Sequence, residues 1–211
     1  MLLAIDTSAG TSVAVVDRDR GVIAQRGVDD TMRHAEVVGR LIEECLDEAG
    51  IAPHGLSGVV AGMGPGPFTG LRVGIAAARV FALGAGKPFL PLISHDAIAY
   101  GRFRAGHTGG LLVVTDARRR EVYWSAYSEA DASGLPVRIG GPGVAKPAVL
   151  LEPDWTHALL PRVDEASVSA GDLGLVAYLT LELGLPFAAD EALYLRSPDV
   201  TMSAGPKRVS R

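Results

Sequence analysis

The chain of 211 residues has one cysteine, Cys45, so an intramolecular disulfide is excluded, and no Cys/His cluster has the spacing of a zinc finger. That scarcity points to a reducing cytoplasm. No uncharged apolar run approaches the roughly 20 residues of a membrane-spanning helix, and no basic segment precedes the opening MLLAIDTS, so neither a membrane protein nor an exported one is expected. Low-complexity tracts and solenoid periods are absent too. Nor is there an excess of basic charge: the formal net charge of -4 gives no global attraction to a polyanion, leaving only local patches to meet phosphates. Hydrophobic residues at 48% and charged residues at 21% fit a folded globular chain, long enough for two compact lobes.

Within that frame, short apolar or β-branched runs at residues 2–5, 12–17 and 22–27, separated by Gly and Asp, predict three strands in a meander. Val38, Leu41, Ile42, Cys45 and Leu46 recur at helical spacing before Gly50, predicting an amphipathic helix over 33–49. A strand over 56–61, a helix ending near Gly84, a strand over 89–93 and a helix over 94–103 follow. Strands alternating with helices after a meander argue for a mixed sheet with helices on its faces. Residues 101–110 read as a linker, and beyond it the opening recurs in outline, with strands at 111–115 and 121–127 around an arginine-rich turn. This predicts an amino-terminal lobe over 1–104 and a smaller one over 109–211. The remainder is interrupted at Pro136, Gly140 to Gly143 and Pro147, with one clear helix over 172–183.

Two segments carry chemical potential. Asp6-Thr7-Ser8, at a strand end, offers a short carboxylate, hydroxyls and turn amides that can hold a metal-bridged phosphate, though the same residues also make ordinary hydrogen-bonded turns. The segment Gly64 to Gly74, GPGPFTGLRVG, is a glycine-rich loop running into a helix with Thr69 as N-cap, able to present amides to an anion. It is not a Walker A loop, since no lysine follows Gly70, and it does not match GxGxxG. The helix that follows is apolar around most of its circumference, with Arg72 and Arg79 as its narrow polar stripe, so burial on more than one side is expected. Gly70, Gly74 and Ala78 form a smooth track for a close helix neighbour, in a partner or in the chain itself. Arg118 to Arg120 read as a solvated turn with a phosphate contact as the alternative. His95 reads as a structural hydrogen-bonding group. No Ser-His-Asp or Cys-His arrangement and no Gly-x-Ser-x-Gly elbow can be assigned.

Taken together, Asp6-Thr7-Ser8, Gly64 to Ala78, Asp116-Ala117-Arg118 with Glu121 to Trp124, and Leu193 to Arg196 resemble the bacterial TsaB family along the whole chain. The resemblance implies the two-lobed actin-like ATPase fold, ribonuclease H-like, with mixed sheets flanked by helices. It implies a non-catalytic role in the synthesis of the threonylcarbamoyl adenosine of tRNA, at adenosine 37, docked on the larger relative TsaD. The ATPase TsaE joins that assembly, and tRNA is met only indirectly. In the catalytic relative a His-x-x-x-His pair holds the metal. Here the matching positions are His95 and Ala99, and a methyl group cannot coordinate, so no metal, no cofactor and no catalysis are expected of this chain. Asp6, Thr7 and Ser8 then stand as a vestigial phosphate loop. Val38, Leu41, Ile42, Cys45, Gly70, Gly74 and Ala78 are the expected partner interface, with a homodimer possible when the chain is alone. Two other classes stay open. A small-molecule kinase would hydrolyse ATP alone, and a metallopeptidase of the glycoprotease type would hold stoichiometric metal.

Overall fold

The computed structural model describes residues 1–30 and 32–196. Its first half comprises β1 (Leu2–Asp6), β2 (Thr11–Asp17), β3 (Gly21–Val28), α1 (His34–Ala49), β4 (Gly58–Gly62), α2 (Phe68–Ala85), β5 (Phe89–Leu92) and α3 (Ser94–Arg104). The second half comprises β6 (Leu111–Asp116), β7 (Val122–Ala130), β8 (Pro136–Ala145), β9 (Arg162–Asp164) and α4 (Ala170–Glu182). The first sheet runs β3-β2-β1-β4-β5, antiparallel in its meander and parallel from β1 through β5. The second runs β8-β7-β6-β9, a meander with β9 parallel to β6. It repeats the first four strands of the first sheet in the same relative order. This duplicated unit is the actin-like fold, and the strands at 2–5, 12–17 and 22–27 lie where the sequence places them.

Both faces of the first sheet are covered, which is why β1 is apolar at every position before Asp6 instead of alternating with polar residues. Leu3, Ile5, Val13 and Val15 pack under α1 and α2, while Leu2, Ala4, Ala14 and Val16 turn to the other face. There they meet Leu173, Val176 and Ala177 of α4 and Ala97 to Ala99 of α3, together with Leu111, Val113 and Tyr127 of the second sheet. The carboxy-terminal helix α4 therefore lies on the amino-terminal sheet, and one core serves both halves. Gly174 permits that approach, since a Cβ there would come within 2.6 Å of Val16 Cγ2.

Four expectations need correction. Val38, Leu41, Ile42 and Cys45 lie on the buried face of α1, at 0 to 7% exposure, packed on the chain's own sheet; the helical spacing that marked them as an interface marks the core instead. The track of Gly70, Gly74 and Ala78 is buried in the same way: a Cβ at Gly74 would stand 2.1 Å from Thr7 Oγ1, and Ala78 joins the apolar core. Thr69 lies in the first turn of α2, and Pro67, extended at φ -61° and ψ 141°, is the N-cap without any side-chain cap bond.

α2 is also not enclosed on several sides. One flank, from Gly70 and Leu71 to Ala82, is buried, whereas Val80 and Leu83 on the other are 70% and 83% exposed. By length and composition this helix could cross a membrane, but one flank is docked on the sheet and its arginines are tied to Tyr194 and Asp190. Arg79 Nε donates to Asp190 Oδ1 at 3.1 Å, and the Arg72 guanidinium lies 3.7 Å above the Phe68 ring. Residues 188–196 form a strap along this edge. The Ala188 N–H donates to the Pro91 carbonyl, the Leu193 N–H to that of Met63, and Arg196 Nη1 to that of Ala117.

Candidate functional site

Asp6 ends β1 with 1% exposure, and the chain itself occupies its carboxylate. Oδ1 accepts the Ser8 N–H at 2.8 Å and the Ser8 hydroxyl at 2.6 Å; Oδ2 accepts the Ser94 hydroxyl at 2.6 Å. Burial pushes the Asp6 pKa upward, and the hydrogen bonds from Ser8 and Ser94 only partly oppose it. Thr7 donates to the Gly70 carbonyl at 2.7 Å and accepts the Gly74 N–H at 3.0 Å, pinning α2 to the strand end. Gly66 closes the outer side, because a Cβ there would lie 2.8 Å from Ser8 Cα. The structure thus brings Asp6, Thr7 and Ser8 together with the glycine loop, as hydrogen-bonding posts under that loop. Beside them His34, at the start of α1, sits 2.7 Å from Thr11 Oγ1 through Nδ1, its pKa lowered chiefly by burial.

A second polar cluster joins α3 to the second sheet. His95 is fully buried, with Nδ1 2.8 Å from Ser125 Oγ and Nε2 3.0 Å from Thr115 Oγ1. Burial, with the Arg138 charge adding to it, pushes its pKa down to about 3, so the ring is neutral at ordinary pH. Both ring nitrogens are engaged by hydroxyls. Ala99, one turn on, is buried in the apolar core. Among the described residues no group of three His, Cys, Asp or Glu side chains could hold a metal ion. Next to His95, Asp96 accepts the Tyr127 hydroxyl at 2.7 Å and lies 3.5 Å from Arg138 Nε; burial raises its pKa against the opposing Arg138 charge. Sequence reasoning missed this trio. Arg138 stands in the stretch of Pro and Gly interruptions that hid β8, and the sequence singles out only His95, the residue before Asp96.

The turn from β6 to β7 holds Arg118, Arg119 and Arg120 at φ of 64°, 53° and 63°. Three consecutive non-glycine residues in the left-handed region are held at a cost of ~1–2 kcal/mol each. The turn is closed by the Glu121 N–H donating to the Arg118 carbonyl at 3.0 Å and by the Arg118 N–H donating to Asp116 Oδ1 at 2.9 Å. Arg118 and Arg119 face the first turn of α2 across a cleft.

Known proteins place this geometry in a family. Residues 27–169 match the family model for TsaD, tRNA N6-adenosine threonylcarbamoyltransferase. An uncharacterized protein of Mycobacterium leprae is 35% identical over 94% of this chain, which spans 55% of that protein's length. The tRNA threonylcarbamoyladenosine biosynthesis protein TsaB of Escherichia coli is 30% identical over 90% of this chain and 83% of its own. A crystal structure from Pseudomonas aeruginosa, of a protein with similarity to the peptidase YEAZ, superposes with a TM-score of 0.76 at 26% identity, covering 92% of this chain and 99% of that one.

Proposed function

This chain belongs to the TsaB family, which acts in the synthesis of threonylcarbamoyladenosine in tRNA, and from that premise we propose that it is a non-catalytic subunit supporting a TsaD-type transferase. The observation that carries the reading is the outer flank of α2. Val80 and Leu83 stand 70% and 83% exposed, with exposed Ala76 and Gly84 beside them and Arg79, paired with Asp190, at the edge of the ridge. A ridge of large apolar side chains flanked by small ones suits a close helix contact. The partner surface is therefore the flank opposite the Gly74 track. TsaD docks on this ridge in the cytoplasm, TsaE joins the pair, and tRNA reaches the assembly through TsaD. When the chain is alone, a second copy covers the same ridge.

The non-catalytic part of the reading is supported by His95, whose nitrogens both face hydroxyls, and by the methyl of Ala99 where a second ligand would be required. Reconstitution with the TsaD and TsaE of the same organism, threonylcarbamoyl adenylate and tRNA tests it. Modification is expected only when TsaD is present, and its rate should fall sharply when this chain is withheld. Transfer by this chain without TsaD, or full activity without this chain, would overturn the reading.

A further inference from the structure

A cavity of about 280 Å³ lies where the start of β8 meets α4 and the segment after it, and it shares no wall residue with the cleft beside Arg118 and Arg119. Leu135, Val176, Leu185 and Phe187 give it apolar walls, and one charged pair stands among them, Arg138 with Asp96. The pair is loose. Arg138 Nε lies 3.5 Å from Asp96 Oδ1, and among the described residues neither Nη1 nor Nη2 has a hydrogen-bond partner. The side chain is nevertheless mostly withdrawn from water, with 29% of it exposed. Asp96 balances the charge poorly: its Oδ1 already accepts the Tyr127 hydroxyl at 2.7 Å, and burial raises its pKa. The Arg138 charge reaches His95 as well, whose pKa it helps to depress.

A guanidinium whose two outer nitrogens are unspent offers a fork of parallel donors that fits the two oxygens of a carboxylate. Among the described wall residues it is the sole cation, so a phosphate, with its higher charge, finds no second one. At ~30 Å³ for each, about nine water-sized groups fit, enough for a carboxylate and a short chain laid on the apolar walls. We propose that this cavity binds a monocarboxylate with a short apolar chain, its oxygens bidentate on Arg138 and its chain against Leu135, Val176 and Phe187. A simple carboxylic acid and an apolar α-amino acid share that chemistry; the second adds an ammonium for Asp96 to take. The inference concerns this chain's own walls and does not rest on docking to TsaD, so it is tested without a partner and the two can fail separately.

Titrating the full chain by NMR with 4-methylpentanoate, with its uncharged amide and with leucine tests the assignment. The carboxylate should shift the backbone amides of Leu135, Arg138 and Phe187 saturably, with a Kd in the millimolar range or below, as expected of so small a ligand. The uncharged amide should bind about tenfold or more weaker, because it loses the charge-assisted fork. Arg138→Gln should weaken the carboxylate by about the same factor. Leu185→Asp, at a half-exposed wall position, sets a like charge beside the ligand and should also weaken it about tenfold. Unchanged thermal unfolding of the Leu185 variant separates a lost site from a lost fold, even where the Arg138 variant fails to fold. Leucine binding tighter than 4-methylpentanoate identifies the ligand as an amino acid read by Asp96, and weaker binding identifies a simple carboxylic acid. Shifts that grow without saturating for both carboxylates would overturn the proposal. So would equal affinity for the uncharged amide, or binding unchanged in both the Arg138 and the Leu185 variants.

Discussion

The junction between α3 and the second sheet, compared with the outer flank of α2, reverses the usual arrangement of polar and apolar groups. At the junction His95, Asp96 and Tyr127 lie inside, while on α2 Val80 and Leu83 stand in solvent. The buried polar side is complete: among the described residues no buried side-chain nitrogen or oxygen is without a hydrogen-bond partner. The exposed apolar side is not complete, since burying two large aliphatic side chains would stabilise an assembly by ~1.5–3 kcal/mol each. A polar interior that satisfies itself needs nothing from outside, whereas an apolar ridge without a cover is a surface awaiting one.

The inner flank of α2 is where this contrast breaks hardest. Gly74→Leu should cost ~3 kcal/mol or more, or prevent folding, because Thr7 Oγ1 occupies the space a side chain would enter. Thermal unfolding checks this, and an unchanged midpoint would mean that the track faces outward after all.

Next in size is the junction histidine. Its pKa is about 3 in the fold against 6.5 when exposed, so the unfolded chain takes up a proton first as pH falls. Stability from His95 is thus full above pH 6.5 and drains away towards pH 3, at up to ~1.4 kcal/mol per pH unit. Asp6 and Asp96 act with opposite sign: their pKa values are raised by burial, so they contribute stability as pH falls through those raised values. The difference between the unaltered protein and His95→Gln isolates the histidine. Denaturant unfolding at pH 7 and pH 5 should show that difference shrinking at the lower pH, and a constant difference would contradict a neutral buried ring.

Tyr127→Phe is the milder probe of the same junction. It removes the hydroxyl that Asp96 accepts at 2.7 Å and should cost ~1–2 kcal/mol, read as a lower denaturation midpoint. A neutral effect would mean that Arg138 alone satisfies the carboxylate.

The sequence carried the first half of the fold well, because strand and helix periods there are uninterrupted and Gly50 terminates α1 in a left-handed cap at φ 63°. It could not say which apolar flank of α2 faces the sheet, since a core and a partner ask for the same residue types; only the fit of Gly74 against Thr7 decides. β8 was hidden for a different reason. It is an edge strand, where Pro136 and Pro142 are tolerated, and its glycines leave room for rings: a Cβ at Gly143 would touch Trp124, and one at Gly140 would touch His157. β9, of three residues, is too short to show a period. At the site, Asp6, Thr7, Ser8 and His95 were all legible as polar groups at strand ends, but their burial under the glycine loop and at the junction was not. Leu193 to Arg196 were recognised as a motif, and the strap they form shows only in three dimensions. The remaining residues 197–211 lie outside the described part.

The ridge itself should show the smallest stability effect and the clearest functional one. In the double variant Val80→Asp with Leu83→Asp, both changed side chains stand in solvent, so unfolding free energy should move by no more than about 0.5 kcal/mol per site. Affinity for the TsaD of the same organism, measured by calorimetry, should nevertheless fall at least thirtyfold or so, the loss expected on removing an apolar hot spot. A variant that keeps its fold and loses TsaD is the result predicted here, and one that keeps its fold and binds TsaD with unchanged affinity would contradict the account.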